Sequence, residues 1–174
     1  MDYKSDIVII GAGAVGVAIA REFAKYKKKV MVVDKRDDVG GDASKSNSSI
    51  ICSGFDCPPN TLESRLCLAS RAMIDKVAEE LDIPFKACGA IMPAFTQEQM
   101  NLLPQIYKEA YENQVYDVEY ISAKQILEME PEVNPDVLGG LYIPRDAVID
   151  PFLFVVAEAE NAADNGVEFL LDAE

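Results

Sequence analysis

The chain has 174 residues, 49% of them hydrophobic, and 30 acidic against 16 basic side chains give a net charge of −14. A chain this long can bury one ordinary core, and no apolar run approaches the roughly 20 residues of a membrane-crossing helix. The acidic balance argues against nucleic-acid or anionic-membrane partners, and the complete lack of histidine removes every mechanism that needs an imidazole from these residues.

Asp6-Ile-Val-Ile-Ile10 predicts a short buried strand of a parallel sheet, and it runs directly into Gly11-Ala-Gly-Ala-Val-Gly16. Gly-x-Gly-x-x-Gly is a weak pattern alone and gains weight from a strand before it and a helix after it. Val15, Ile19 and Phe23, beside Ala18, Ala20 and Ala24, supply the helical spacing. Gly11 permits the tight turn, Gly13 lets backbone approach a pyrophosphate, and Gly16 lets the helix pack close to the strand. The unpaired N–H groups of the first helical turn then face the anion. Lys25, Lys27, Lys28 and Lys29 sit at the carbonyl end of this helix, where positive charge suits the macrodipole. Val30-Met-Val-Val33 predicts the second strand, and Asp34, 18 residues beyond Gly16, stands where an acid is expected on a ribose hydroxyl. Dinucleotide binding follows as the leading expectation.

From Val39 to Ser49 the chain turns small and polar with no regular periodicity, and long loops of this kind inside compact domains are usually functional. A plain nicotinamide-dependent dehydrogenase continues into a third strand and helix here; this segment is suited to run beside a second stretch of cofactor. After Pro58-Pro59, Leu62, Leu66, Ala69, Met73, Val77 and Leu81 predict one long amphipathic helix with those residues in the core. Ala90 to Phe95 reads as a strand placed at an edge by Pro93. Thr96 with Gln99 caps a helix carrying Met100, Leu103, Tyr107 and Tyr111, which Pro104 should kink. Val118–Ile121 is extended, Ser122 with Gln125 opens a helix that stops by Glu130, and Gly140–Ile143 is strand-like. Asp150-Pro151 starts a last helix, buried through Phe152, Val155, Ala159 and Ala162 and ended by Gly166; Val167–Leu171 is a strand able to rejoin the first sheet.

Cys52, Cys57, Cys67 and Cys88 follow no zinc spacing, and no metal site is expected. Asp2 and Asp6 around a short apolar run leave no secretory signal pattern, so a cytoplasmic protein with reduced, mostly buried thiols is expected, Cys52 and Cys57 forming the alternative redox pair. Charge divides unevenly: residues 1–45 hold nine basic and seven acidic side chains, the remainder seven and 23. An anionic substrate therefore needs a local cation, for which Arg65, Arg71 and Arg145 are the candidates.

These residues together resemble the FAD-dependent oxidoreductases of the D-amino-acid oxidase type, especially the FAD-linked glycerol-3-phosphate dehydrogenases and L-2-hydroxyglutarate oxidases. The resemblance rests on Gly11, Gly13, Gly16, Asp34, the Gly40-Gly41 to Ser44-Lys45-Ser46-Asn47-Ser48 loop, Glu79 to Pro84, and Asp150-Pro151 leading to Asn165-Gly166-Val167. It implies an α/β fold, a Rossmann-type FAD-binding sheet with an inserted α+β substrate-domain portion, incomplete at the C-terminus. The expected parts are residues 1–51 for the cofactor domain, 52–145 for the insertion and 146–174 for a return to the cofactor domain. It implies that Gly11, Gly13, Ala14, Val15 and Gly16 hold the pyrophosphate of FAD and that Asp34, with Lys35 beside it, takes the ribose. Ser44 and Lys45 fall in the phosphate region, and Asn47, Ser48 and Ser49 on the approach to the isoalloxazine ring. The implied chemistry is hydride removal from a hydroxy acid or polyol phosphate, the cofactor carrying the redox step; no catalytic residue is assigned. Two departures stand out. Ser49 replaces a glycine and Cys52 a histidine of the family pattern, and family members have about twice this length. The alternatives are a non-catalytic cofactor-binding fragment or subunit, completed by a C-terminal half or another copy, and half of an NAD-dependent dehydrogenase.

Overall fold

The computed structural model describes residues 4–173; Asp2 and Glu174 lie outside the described residues. The chain divides into two compact units. One takes residues up to Ser49, Lys76–Pro84 and the chain from Ile149 onward, and the other takes Ile50–Asp75 and Phe85–Val148.

The first unit is built on a parallel sheet ordered β1 (Ile7–Ile10), β2 (Val30–Val33), β9 (Glu168–Leu170). Ile7 lies opposite Val30 and Val33 opposite Leu170, so the last strand does rejoin the first sheet. Helices α1 (Ala14–Ala24) and α5 (Pro151–Asp164) pack on each other, and their buried Val17, Ala20, Val155, Ala159 and Ala162 meet Ile9, Val30 and Val32. The predicted helices are present; Val155, Ala159 and Ala162 of α5 are buried as expected, whereas Phe152 and the Val15, Ile19, Phe23 line of α1 lie outside. Val15 is 75% exposed and Phe152 58% exposed. The reason for α1 is Gly16: a Cβ there would lie 1.8 Å from the Gly11 carbonyl oxygen, so this line of the helix must face the strand and Val15, Ile19 and Phe23 turn away. For α5, the Asp150 side chain caps Phe152 and Leu153 N–H, and Glu158 joins Val155, Ala159 and Ala162 on the inner line while Phe152, in the first turn, stays outside.

The second unit contains an antiparallel sheet ordered β5 (Ala90–Ala94), β7 (Gly139–Ile143), β6 (Glu119–Ser122) and a small one ordered β3 (Ile50–Ile51), β8 (Ala147–Ile149), β4 (Phe85–Lys86). β5 is at an edge, as Pro93 requires, and Pro93 faces Gly140, whose missing Cβ would sit 2.3 Å from the Met92 carbonyl oxygen. Helices α3 (Gln97–Glu112) and α4 (Ala123–Met129) begin at Thr96 and Ser122 with complete capping boxes to Gln99 and Gln125. Leu103, Ala110, Val115, Leu141 and Ile143 form the core, while Tyr107 and Tyr111 lie outside it, Tyr107 stacked on Tyr120 and Tyr111 edge-on to Tyr116.

Helix α2 (Leu62–Glu80) forms where its spacing predicts, but the stripe expected in the core is outside. Leu62, Leu66 and Met73 are each more than half exposed, and the buried line runs through Ser64, Ile74 and Ala78. Ser64 is drawn inward by local bonds, its hydroxyl donating to the Thr61 carbonyl and its N–H to Thr61 Oγ1. The short strands β3, β4 and β8 carry no sequence signal long enough to predict them. The cysteines are free, but Cys52 and Cys88 are exposed and only Cys57 is buried, against the expectation of mostly buried thiols.

Candidate cofactor site

The glycine turn is a hydrogen-bonded junction between β1, β2 and the polar loop. Gly11 N–H donates to the Val33 carbonyl at 2.8 Å, and Gly11 adopts φ +104°, a conformation open to glycine at no steric cost. Ala12 N–H donates to Asp34 Oδ2 at 2.6 Å, while Oδ1 accepts from Arg36 N–H at 2.8 Å. These two backbone donors, ahead of the charges of Lys35 and Arg36, hold the Asp34 carboxyl below its ordinary value. Asp34 thus keeps a negative charge next to the turn, with further lone pairs on both oxygens for another donor.

The polar loop closes over the same turn. Gly40 N–H donates to the Ala12 carbonyl, and Ser44 Oγ accepts from Ala14 N–H at 3.0 Å, leaving the hydroxyl proton free to donate outward. Ser44 Oγ also lies 3.1 Å from the position a Cβ on Gly13 would take. Val15 and Gly16 occupy the first turn of α1, where N–H groups have no intrahelical acceptor. Lys45 spends its charge on Asp38 at 2.6 Å and lays its stem over Gly40. Asn47 is a loop brace: Nδ2 donates to the Ala43 and Ser44 carbonyls and Oδ1 accepts from Ser49 N–H. That last bond holds Ser49 at φ +66°, so the serine occupies a conformation that favours the glycine of the family pattern.

A crevice of about 700 Å³ opens beside the turn, within the size of small-molecule sites. Gly11, Gly13, Asp34 and Lys35 line it together, as do Val8, Ile10, Val33, Asp42 and Ala173. Ser44, Lys45, Asn47, Ser48 and Ser49 are not among its walls. Val8 and Ile10, on the face of β1 opposite the buried Ile9, are exposed, against the expectation of a buried strand, because that face borders the crevice. Ala173 had no sequence signal: it arrives because Asp34 N–H bonds Leu170 and Ala173 N–H bonds the Asp34 carbonyl.

A model of the FAD dependent oxidoreductase family matches residues 6–174. The chain belongs to this family. It is 38% identical over 169 residues to a glycerol 3-phosphate dehydrogenase of Caloramator mitchellensis, covering 97% of this chain and 35% of that protein. An L-2-hydroxyglutarate dehydrogenase of Arabidopsis thaliana is 28% identical, with 92% of this chain and 33% of that protein covered. Among solved structures, FAD-bound L-alpha-glycerophosphate oxidase from Mycoplasma pneumoniae superposes with a TM-score of 0.92 at 27% identity, covering 99% of this chain and 46% of that one. Glycine oxidase from Geobacillus kaustophilus superposes at 0.91 with 28% identity and similar coverage, 99% and 48%. The chain therefore spans about a third to a half of the proteins it matches, and the family's cofactor is FAD.

The second unit shows where the candidate cations lie. Arg71 stacks over Phe85, pairs with Asp75 at 2.6 Å and donates to the Arg145 carbonyl; Arg145 pairs with Asp117 at 2.8 Å. Both guanidinium groups have acidic partners, whereas Arg65 is exposed beside a polar cleft with Asn60 and Glu112. Although Cys52 is an exposed residue, partial desolvation of its sulfur, followed by Asp146 and Asp56, pushes the thiol up, so it is not an activated thiolate. Among the described residues no cluster suits a metal ion, and no helix is long and apolar enough to cross a membrane.

Proposed function

We propose that this chain supplies the FAD-holding part of a flavoprotein oxidoreductase that takes a hydride from a hydroxy acid or a polyol phosphate. The observation that carries the reading is the crevice in which the glycine turn and the Asp34 carboxylate meet. The N–H groups of Val15 and Gly16 and the Ser44 hydroxyl hold the pyrophosphate, and Asp34 accepts from the ribose. Lys35 borders the ribose end, Lys45 fixes the loop through Asp38, and Asn47, Ser48 and Ser49 shape the approach to the ring. When bound, the flavin supplies the hydride acceptor. The protein's part would be to hold and orient the cofactor, with Val8, Ile10 and Val33 giving the crevice beside Asp34 an apolar wall that excludes water. The substrate class is supported by the relatives' names, since glycerol 3-phosphate and L-2-hydroxyglutarate are both hydroxyl-bearing anions.

Among the described residues β1 has one unpaired edge, which supports completion of this sheet by a C-terminal half or by another copy. Free thiols support a cytoplasmic setting. Titration with FAD, followed by flavin fluorescence, tests the reading. Parent protein binds and Gly13→Val does not, because the branched side chain meets Ser44 Oγ and fills the pyrophosphate position. Saturation by NAD with no response to FAD overturns it.

A further inference from the structure

We infer that Cys57 and Cys67, and not the sequence-adjacent Cys52 and Cys57, form a reversible dithiol–disulfide site. Their sulfurs are in contact at 3.9 Å, with the Cys57 thiol donating to Cys67 Sγ. A disulfide requires about 2 Å between sulfurs, so the two sulfurs must approach by roughly a further 2 Å.

The surrounding structure holds the two residues side by side. Cys67 is on α2, and Cys57 is on the preceding loop, whose backbone is fixed by the buried Asn113: its Nδ2 donates to the Gly54 carbonyl at 2.9 Å and to the Cys57 carbonyl at 2.7 Å. Gly54, at φ +86°, lets the loop lie on α2; a Cβ there would stand 3.0 Å from Cys67 Cβ. The pair is therefore pre-positioned by groups other than the thiols, which lowers the entropy cost of joining them.

The two thiols are not equivalent. Cys57 is buried, and burial ahead of its bond to Cys67 pushes its pKa up to about 12, whereas Cys67 is half-buried and reachable. Cys67 is the entry point. Its thiolate attacks one sulfur of a low-molecular-weight disulfide and expels one thiolate, which takes up the proton Cys67 has lost. Cys57 then gives up its proton, attacks the Cys67 sulfur of the mixed disulfide and expels the second small thiol. Two protein thiols are oxidised by two electrons and the small disulfide is reduced to two thiols.

The test is to incubate the chain with oxidised glutathione, alkylate remaining thiols with iodoacetamide and digest with trypsin. Cleavage after Arg65 separates the peptide bearing Cys52 and Cys57 from the one bearing Cys67. The expected product is these two peptides joined through Cys57 and Cys67, with the loss of two hydrogens, and separated again by reductant. In Cys57→Ser, glutathione stays on Cys67 because no second thiol displaces it. Recovery of Cys57 and Cys67 as alkylated thiols while Cys52 and Cys88 carry glutathione overturns the assignment, as does a link between Cys57 and Cys52. The parent digest decides the matter even if the variant does not fold, and no outcome depends on the flavin reading.

Discussion

In the first unit Gly16 lies where any Cβ would enter the Gly11 carbonyl, at 1.8 Å; in the second Gly140 lies where one would enter the Met92 carbonyl, at 2.3 Å. Both glycines let two backbone segments touch, yet the contacts differ in kind. The first joins a helix to the turn that borders the crevice, so packing and ligand geometry are one feature. The second joins neighbouring strands of an antiparallel sheet, none of whose residues lines the crevice. A region whose close approach also builds a site has less freedom to absorb change than one whose close approach only packs.

The largest expected effect comes from breaking each contact. Gly16→Ala and Gly140→Ala should each destabilise by about 3 kcal/mol or more, a range reached when atoms are forced into packed backbone. Thermal unfolding followed by circular dichroism measures this. If the comparison holds, Gly16→Ala also loses FAD binding under conditions where it remains folded, while folded Gly140→Ala retains it.

Asp34→Asn is next. It keeps one acceptor and loses the charge-assisted one, and FAD affinity should fall about tenfold, corresponding to the ~1.5 kcal/mol of a hydrogen bond to a charged group. Because the folded-state pKa is lowered, the carboxylate's stabilising contribution is complete above 3.8 and is lost as pH falls through the lower folded value. Acid unfolding of the parent should therefore show a component below pH 3.8 that Asp34→Asn lacks.

Glu158 gives the opposite sign. It is 3% exposed, with Oε1 3.7 Å from Arg21 and Oε2 without a partner among the described residues. Burial raises its pKa against the opposing pull of Arg21 and Lys25, so the ionised form costs stability at neutral pH, and that cost disappears as pH falls through the raised value toward 4.5. Glu158→Gln should be about 1 kcal/mol more stable at pH 8 and equal to the parent below pH 4.5, as read from urea unfolding. The smallest effect is in the second unit: Thr96→Ala removes a capping box and should cost about 1 kcal/mol without altering FAD binding.

What was legible in the sequence was whatever is encoded over a few residues. The glycine turn, the Thr96 and Ser122 caps and the Asp150-Pro151 start are local patterns, and each is present where its residues place it. The faces of helices were not legible in the same way. Leu62, Leu66 and Met73 have the right spacing, but Ser64 bonds to Thr61 and Ile74 and Ala78 take the inside; spacing fixes a stripe, and only the neighbours decide whether it is covered. At the site, Gly11, Gly13, Asp34 and Lys35 of the expected cofactor residues line the crevice and Ala14, Val15, Gly16, Ser44, Lys45, Asn47, Ser48 and Ser49 do not; Asp42 comes from the polar loop, and Ala173 only with the chain's return path. The cysteines make the same point: the sequence reads as reduced thiols with Cys52 and Cys57 as the alternative pair, and the packing of a loop on α2 brings Cys57 to Cys67 instead.

The pairing of β2 with β9 couples the earliest and latest parts of the described chain, and Ala173 closes one side of the crevice through Asp34. During synthesis the glycine turn emerges first but lacks that wall until the far strand has left the ribosome. A chain truncated before β9 should therefore lose this wall of the crevice and bind FAD more weakly than the parent, as read by flavin fluorescence.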